Sequence, residues 1–254
     1  LSALFLARGF VGDKGKIVMI ESESGRGEAH MDTTIGDSRV GGFDVISLRD
    51  EFSPKTYDQA ITLAEQANAD ALIIDSASHE WEGVGGVLHM AEQKRQDGAK
   101  SMQVWTQAKI DHQRHFIGRL LQTPIPLVIL CMRAKVPMEE YIDDKGKKQM
   151  RRGDMLVPKQ DHDILFECFV HGHFDPEHRF HGTKYTKPEL AAVLKSGEVI
   201  TNATGKALAA WARGEPTATL ESVLASIMAA LTSDELDAVK PMAALLGKED
   251  KKKA

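Results

Sequence analysis

The stretch "ALIIDSASHEW", residues 71–81, decides the fold of this chain. Four apolar residues run directly into Asp75, and small or polar residues follow it. A continuous apolar run of this length is typical of a strand that is covered on both faces, as in a parallel sheet. A carboxylate at the end of such a buried strand therefore needs a functional or structural explanation.

Two other segments repeat this pattern. "KIVMIESE" (16–23) and "IPLVILCMR" (125–133) are apolar runs of strand length that end in charged residues. Between them, "SPKTYDQAITLAEQANAD" predicts a helix with Ser53 as its N-cap and Pro54 at its first position. Apolar strands that alternate with amphipathic helices predict an α/β fold with a mostly parallel sheet, covered by helices on both faces.

The composition indicates a globular protein without a general affinity for nucleic acid. The 254 residues are 42% hydrophobic and 27% charged, with a net charge of -5, so a nucleic-acid contact would need a local basic patch. Cys131 and Cys168 are isolated, which predicts free thiols in a reducing compartment. No apolar run approaches the roughly 18 residues that span a bilayer. We therefore expect a cytoplasmic protein without membrane contact.

The domain organisation is predicted from a change in residue pattern along the chain, from apolar strand-length runs to a polar segment and then to helical patterns. Residues 1–186 are expected to form the core, including a region at 138–181 with a polar hairpin and a strand at "DILFECFVH" (163–171). Residues 187–254 are expected to form a small helical C-terminal tail, in which residues 220–231 show a wide apolar helical stripe.

Polar side chains follow three of the predicted strands, at the edge where a parallel sheet binds ligands. Mg²⁺ bound to a nucleotide explains this pattern, because the ion takes few protein carboxylates and keeps water and phosphate oxygens. A second carboxylate can orient the attacking water, and a cation can meet charge on the γ-phosphate. The candidate residues are Glu21 and Glu23 on the first strand, Asp75 and Ser76 on the second, and Arg133 and Lys135 on the third.

The chain has no phosphate-binding motif of the form G-x-x-x-x-G-K-[ST]. The nearest stretch, "GFVGDKGKI" (9–17), has five residues between its outer glycines, and its last lysine is followed by the isoleucine of a strand. The first residues, "LSALFLARGF", have helical apolar spacing without a preceding cap. We therefore expect the phosphate-binding loop to precede Leu1.

Several segments together resemble the phage and prophage ATP-binding proteins of the RecA-like AAA type, over about residues 1–214. The resemblance implies a RecA-like P-loop NTPase core that binds ATP and Mg²⁺, truncated just after the phosphate-binding loop. Whether that loop is cut from this sequence or is absent from the protein stays open. The segments are "KIVMIESESGRGE", "FSPKTYDQAI", "ALIIDSASHEWEG", "WTQAKIDHQRHFIGRLLQ", "PLVILCMRAK", "GTKYTKPEL" and "TGKALAAWARGE".

For the second strand, the resemblance implies that Asp75 is the Walker B aspartate acting on Mg²⁺, with Ser76 next to it. "HEWEG" lacks the second histidine of a zinc-protease helix, because Gly83 stands in that place. His79 and Glu80 are therefore interpreted as loop residues beside the nucleotide.

For the other two strands, the resemblance implies that Glu23 polarises the attacking water, with Glu21 as the alternative. Arg133 or Lys135 occupies the sensor position at the end of a core strand, where RecA itself has a glutamine.

A basic segment, "KGKKQMRR", follows Tyr141 in the predicted hairpin. Such a hairpin can contact a phosphate backbone, since single-strand binders combine positive charge with stacking aromatic rings. A solvated hairpin tip is the alternative interpretation. The candidate residues are Lys145, Lys147, Lys148, Arg151 and Arg152.

These observations predict an ATP-binding and ATP-hydrolysing protein of phage DNA metabolism, in recombination or single-strand annealing. Its expected partners are the nucleotide, single-stranded DNA, further copies of the chain and phage recombination proteins, in the cytoplasm of a bacterial host. The alternatives are a degenerate RecA-like module for DNA binding or assembly, and a DNA packaging or helicase motor. The 254-residue chain alone is expected to be inactive.

Overall fold

The computed structural model describes residues 1–143, 146–153 and 156–215, together with residues 224, 227, 237, 239 and 240. The helices are α1 (Ser2–Val11), α2 (Pro54–Gln66), α3 (Ser78–Glu82), α4 (Val87–Gln96), α5 (Ser101–His112), α6 (Gly118–Gln122), α7 (Ile164–Glu167), α8 (Pro188–Val193) and α9 (Asn202–Ala212). The strands are β1 (Ile17–Glu21), β2 (Thr34–Ile35), β3 (Ser38–Arg39), β4 (Asp44–Ser47), β5 (Ala71–Asp75), β6 (Leu127–Cys131), β7 (Ala134–Lys135), β8 (Met138–Ile142), β9 (Lys148–Arg152), β10 (Val157–Pro158), β11 (Val170–Phe174), β12 (Arg179–Tyr185) and β13 (Glu198–Val199). A π-helical segment, Gln113–Ile117, joins α5 to α6.

The chain divides into two compact units. The first, here called the sheet unit, comprises Lys16–Met31 and Phe43–Glu167. The second, here called the three-segment unit, comprises Leu1–Gly15, Asp32–Gly42 and Cys168–Ala254. The predicted domain boundary after residue 186 lies inside the three-segment unit and stays a prediction.

The sheet unit is built on a four-stranded parallel sheet flanked by helices. Its strand order is β4-β1-β5-β6, which confirms the predicted α/β fold and makes the three predicted strands with polar ends direct neighbours. The register places Glu21 level with Asp75, and Asp75 level with Cys131. The side chains that end these strands therefore lie in one row along the carboxyl edge.

Burial explains why these segments form central strands. Every residue of β1 is buried, and Ala71–Ile74 of β5 are completely so. On one face of the sheet, four of these residues pack against Tyr57 and Ile61 of α2 and against Phe116, namely Val18, Ile20, Leu72 and Ile74. Each such large side chain contributes about 1.5–3 kcal/mol on burial. Helix α2 begins as predicted, since the Ser53 hydroxyl accepts the Thr56 N–H at 3.2 Å.

The topology of the sheet marks the place where a ligand would bind. The connection after β1 leads to β4 on one side, whereas the connection after β5 leads to β6 on the other. Ligands in open α/β sheets bind at the carboxyl ends of strands where the connections diverge in this way. Here that crevice lies between the ends of β1 and β5.

The prediction of a strand over the whole of "DILFECFVH" (163–171) is wrong. Residues 164–167 form the short helix α7, and the strand begins only at Val170. The carbonyls of Asp161 and Asp163 accept the N–H groups of Ile164 and Phe166 at 3.3 and 3.0 Å. These turn bonds compete with strand pairing. The predicted stripe at 220–231 lies almost wholly outside the described residues.

Close helix packing holds the three-segment unit together. Helices α1 and α9 touch at Gly9 and Gly205, where an added Cβ would collide with the backbones of Asn202 and Leu6. Asn202 also donates its side-chain amide to the Phe5 carbonyl at 2.9 Å.

Arg8 of α1 is buried in the same unit, with four carbonyl partners. Its guanidinium donates to the carbonyls of Val40, Gly12, Gly15 and Gly42 at 2.5 to 2.9 Å. Because four backbone acceptors depend on one cation, this side chain ties α1 to the segment 32–42.

Candidate functional site

Glu21 ends β1 and organises the loop that follows. Its side chain is 1% exposed, and its two carboxylate oxygens accept the N–H groups of Glu23 at 2.7 Å and of Gly25 at 2.9 Å. The loop needs this support because Ser24 and Gly25 both have positive φ, 63° and 87°, which is unfavourable for the serine. Both oxygens of Glu21 are therefore occupied by the backbone.

Glu23 is presented by this loop at the carboxyl edge, where cations surround it. Its Oε1 accepts from Nη2 and Nε of Arg133 at 2.7 and 3.1 Å, and its Oε2 accepts from Arg26 at 3.3 Å. His79 Nε2 lies 3.8 Å from the same Oε1. The structure thus brings together three predicted site residues, Glu23, Arg133 and His79.

Asp75 lies beside them at the end of β5. Burial, and next to it the negative charge of Glu23, raise the pKa of the Asp75 carboxyl above its usual value. Its neighbour in register, Cys131, has a thiol whose pKa burial raises to about 12. The charged form of Asp75 is therefore disfavoured in the protein alone, and a bound cation would relieve this cost.

Ser76 is turned inward. It is 2% exposed, its hydroxyl accepts the Ser78 N–H at 3.2 Å, and its carbonyl accepts the Tyr57 hydroxyl at 2.9 Å. Burial raises the pKa of Tyr57, which keeps this phenol a neutral donor. The predicted contact of Ser76 with a nucleotide stays a prediction.

Ser22 is a residue that the sequence reasoning missed. Its hydroxyl lies 2.9 Å from the Ser76 nitrogen and 2.8 Å from His79 Nδ1, and its N–H donates to the Asp75 carbonyl at 2.9 Å. Its place in "ESE" between two candidate glutamates was the available signal. Ser22 links the ends of β1 and β5 beyond the last strand pair.

The two basic candidates after β6 have different positions. Arg133 reaches Glu23, and its own N–H donates to the Ser78 hydroxyl at 2.9 Å. Lys135 lies in β7 opposite Val157, with an exposed side chain. In the described part of the chain, Lys135 is not among the side chains that contact Glu23.

The interpretation of His79 and Glu80 as loop residues was wrong, because helix α3 contains both, and Glu80 belongs to a buried polar cluster. It lies in helix α3, is 0% exposed, and contacts His112 Nδ1 at 3.0 and 3.2 Å. Gln160 donates to Glu80 at 3.1 Å and to the Ala77 carbonyl at 2.9 Å. Successive residues of a helix are rotated by about 100° around its axis, which places His79 and Glu80 on different faces. Only His79 points to the crevice side of Glu23.

The predicted basic hairpin exists as β8 and β9, an antiparallel pair. Acidic partners lie across the strands: Lys148 pairs with Glu140 at 2.8 Å and Arg151 with Glu139 at 3.4 Å. The Arg151 guanidinium also lies 5.9 Å from the ring centre of Tyr141. Of the predicted residues, Lys147 and Arg152 are exposed as well, and Lys145 lies outside the described residues.

A separate cleft of about 340 Å³ lies in the sheet unit beside the first turn of α2. It contains the ion pair of Lys55 with the buried Asp111, 3.5 Å apart, and none of the predicted site residues. Its remaining lining residues are Glu51, Ser53, Pro54, Val84, Gly85, His89, Met90 and Gln93.

The described residues contain neither a cluster of metal-ligating side chains nor a membrane-spanning helix. No three or more His, Cys, Asp or Glu side chains in that part of the chain are grouped as a metal site. None of the helices described has both the length and the apolar character needed to cross a bilayer.

Comparisons of the chain with protein-family models, with curated proteins and with solved structures find no match.

Proposed function

We propose that this chain belongs to an ATP-binding and ATP-hydrolysing protein of phage DNA metabolism, with a RecA-like P-loop core. One observation carries the proposal: Glu23, Arg133 and Asp75 meet at the carboxyl edge of a parallel sheet, at its switch point. Carboxylates and a guanidinium in such a crevice suit a nucleoside triphosphate with its metal.

Asp75 is the residue that would hold Mg²⁺. Burial and the charge of Glu23 raise the pKa of Asp75, as expected for a carboxylate whose negative charge a bound cation would stabilise. A single protein carboxylate suffices, because Mg²⁺ keeps water molecules and phosphate oxygens as its other ligands. When bound, the ion would neutralise charge that develops on the phosphates.

Between the two glutamates, the geometry favours Glu23 as the group that orients the attacking water. Both oxygens of Glu21 already accept backbone N–H groups and the side chain is buried. Among the described residues, the partners of the Glu23 carboxylate are side chains, one of which, Arg133, is 47% exposed. Arg133 would then meet charge on the terminal phosphate, as the sensor residue.

The hairpin of β8 and β9 is the proposed contact for single-stranded DNA. Its apolar side chains Tyr141, Ile142 and Met150 are 41%, 69% and 57% exposed, beside Lys147 and Arg152. Bases can pack on such side chains while the cations meet phosphates. The acidic partners across the hairpin lower its net positive charge, so we propose modest affinity.

The first experiment measures Mg²⁺-ATP binding and hydrolysis by the complete protein, with the phosphate-binding loop that the resemblance places before Leu1. Asp75→Asn and Glu23→Gln should abolish hydrolysis, whereas Glu28→Gln, an exposed glutamate after the same loop, should not. The 254-residue chain should bind ATP negligibly, because backbone N–H groups of the phosphate-binding loop supply most phosphate contacts. Absence of ATP binding by the complete protein would refute the proposal.

The exposed hairpin favours a second candidate, a DNA-binding or assembly module that binds ATP without turnover. Arg152→Ala should then weaken single-strand binding and reduce its salt dependence, while Arg95→Ala, at an exposed site on α4, should change neither. ATP binding without hydrolysis, unchanged by Glu23→Ala, would favour this candidate over an ATPase.

A further inference from the structure

We propose that Ser22 and His79 are positioning residues for Glu23, and that Ser22 acts by holding His79 in the tautomer with its proton on Nε2. The inference rests on the proposed function, because Glu23 is the group proposed there to orient water.

The Ser22 hydroxyl, on a side chain 7% exposed, lies within hydrogen-bond distance of three atoms of Ser76 and His79, and the Tyr57 side chain is a further neighbour. The Ser76 nitrogen lies at 2.9 Å, His79 Nδ1 at 2.8 Å and the Ser76 carbonyl at 3.4 Å. A backbone N–H can only donate, so the hydroxyl oxygen accepts from Ser76 and keeps one hydrogen to give.

That hydrogen goes to His79. The Ser76 carbonyl already accepts the Tyr57 hydroxyl at 2.9 Å, and 3.4 Å is at the long limit for a hydrogen bond from a hydroxyl. Nδ1 at 2.8 Å is the better acceptor by distance. An imidazole whose Nδ1 accepts carries its proton on Nε2 when it is neutral.

The Nε2–H faces Glu23 Oε1 across 3.8 Å. This distance is longer than a hydrogen bond, so the donor remains available to Glu23 or to a phosphate oxygen beside it. The ring of Phe52 packs against the imidazole with 5.0 Å between centroids, which restricts its rotation. The backbone at the ends of β1 and β5 therefore fixes a donor next to Glu23.

This donor makes the two oxygens of Glu23 unequal. Arg133 and His79 both approach Oε1, whereas Oε2 has only Arg26, whose side chain is 79% exposed. An exposed ion pair of this kind is weak. Oε2 is therefore the oxygen that would receive the attacking water.

The first test needs no activity. In the 254-residue chain labelled with ¹⁵N in its histidine rings, with His79 assigned by its loss in His79→Gln, we expect a protonated Nε2 and a bare Nδ1. Ser22→Ala should move the Nδ1 resonance toward that of a nitrogen without a hydrogen bond, and Ser22→Thr should keep it. A proton found on Nδ1 in the unsubstituted chain would overturn the inference.

The second test uses the complete protein. Ser22→Ala and His79→Phe should each lower kcat about tenfold, the factor that one hydrogen bond is worth, with the KM for ATP unchanged. Ser22→Thr should restore kcat, since it returns the hydroxyl. Wild-type kcat in Ser22→Ala and His79→Phe, with hydrolysis abolished in Glu23→Gln, would overturn the inference and leave the proposed function intact. A complete protein without ATPase activity would contradict the proposed function and with it the role assigned to these residues, while the resonance test still decides the tautomer.

Discussion

Removal of the Glu80 carboxylate is the perturbation that tests the physical reasoning about the sheet unit most directly. Glu80→Ala leaves His112 and Gln160, which are 1% and 4% exposed, without their shared acceptor. A buried polar group without a partner costs about 1–3 kcal/mol, and the substitution removes a partner from two such groups at once. We expect the free energy of unfolding to fall by about 3–5 kcal/mol, a large part of the stability of a domain.

Glu82→Ala is the matched control, because Glu82 lies two residues further along the same helix. Its partner Lys159 is 3.2 Å away, and both side chains are about a third exposed or less, at 27% and 34%. A partly solvated pair of this kind contributes about 0–1 kcal/mol. The two substitutions remove the same side chain from one helix, so burial is the main difference between them.

Urea denaturation followed by Trp81 fluorescence is the assay. The Trp81 ring lies edge-on to His112, with 5.4 Å between centroids, and so reports on the cluster. Replacing Trp105 and Trp211 by Phe isolates this signal. Should Glu80→Ala not fold, Gln160→Ala gives a milder change, since it removes two buried donors but leaves Glu80 and His112 paired.

A loss in Glu80→Ala no larger than that in Glu82→Ala would refute the reasoning, because the buried cluster would then be worth no more than a partly exposed pair. The double variant Glu80→Ala with Gln160→Ala adds a second criterion. Residues in one network are expected to show non-additive effects, on the order of 0.5–3 kcal/mol.

Three further predictions follow from the charges of buried groups. Asp75→Asn should raise the thermal unfolding midpoint at pH 8 and have little effect near pH 4. The reason is that a carboxyl with a raised pKa stabilises the fold only while it is protonated. An equal effect of the substitution at both pH values would contradict this cause. Cys131 should react with thiol reagents far more slowly in the native than in the unfolded protein at pH 8. The contribution of its neutral thiol to stability should be lost as the pH rises from 9.0 toward about 12. Equal reaction rates in the native and unfolded protein would argue against a neutral buried thiol. Arg8→Lys should lower the free energy of unfolding by about 1–3 kcal/mol for each carbonyl left without a donor. The control is Arg39→Lys, because the Arg39 side chain is 69% exposed. Equal losses of stability in the two variants would show that the four carbonyl contacts of Arg8 contribute nothing.

The central strands could be predicted from the sequence because buried parallel strands are continuously apolar. β1, β5 and β6 each lie inside such a run. β1 and β5 end at Glu21 and Asp75, and β6 ends two residues before Arg133. The start of helix α2 could be predicted in the same way, because its serine N-cap is followed directly by a proline at the first helical position. Local physics sets both features, and local physics is what a single sequence displays.

The candidate site was predictable only in outline. That Glu23 and Arg133 would pair across 110 residues depends on the conformation of the loop after β1, which the buried Glu21 holds. Nothing in the composition of the loop displays that dependence. The sequence therefore indicated the edge of the sheet but not the choice between Glu21 and Glu23.

The buried cluster of Glu80, His112 and Gln160 could not be predicted, because glutamate and glutamine are mostly exposed and histidine is intermediate in burial. Their meeting needs α3, α5 and the segment after β10 to pack together. The strand wrongly predicted at 163–171 has a related cause, since its apolar residues outnumber the two aspartates whose turn bonds decide the local structure.

The packing of α1 against α9 has a consequence for how the protein is made. The two helices meet through residues such as Phe5 and Asn202, which are 197 positions apart. At translation rates of about 5–20 residues per second, α9 is synthesised roughly 10–40 s after α1. The apolar side of α1 has no α9 to pack against during that time. During that interval Leu4 and Phe5, buried in the finished protein, offer nascent-chain chaperones a place to bind.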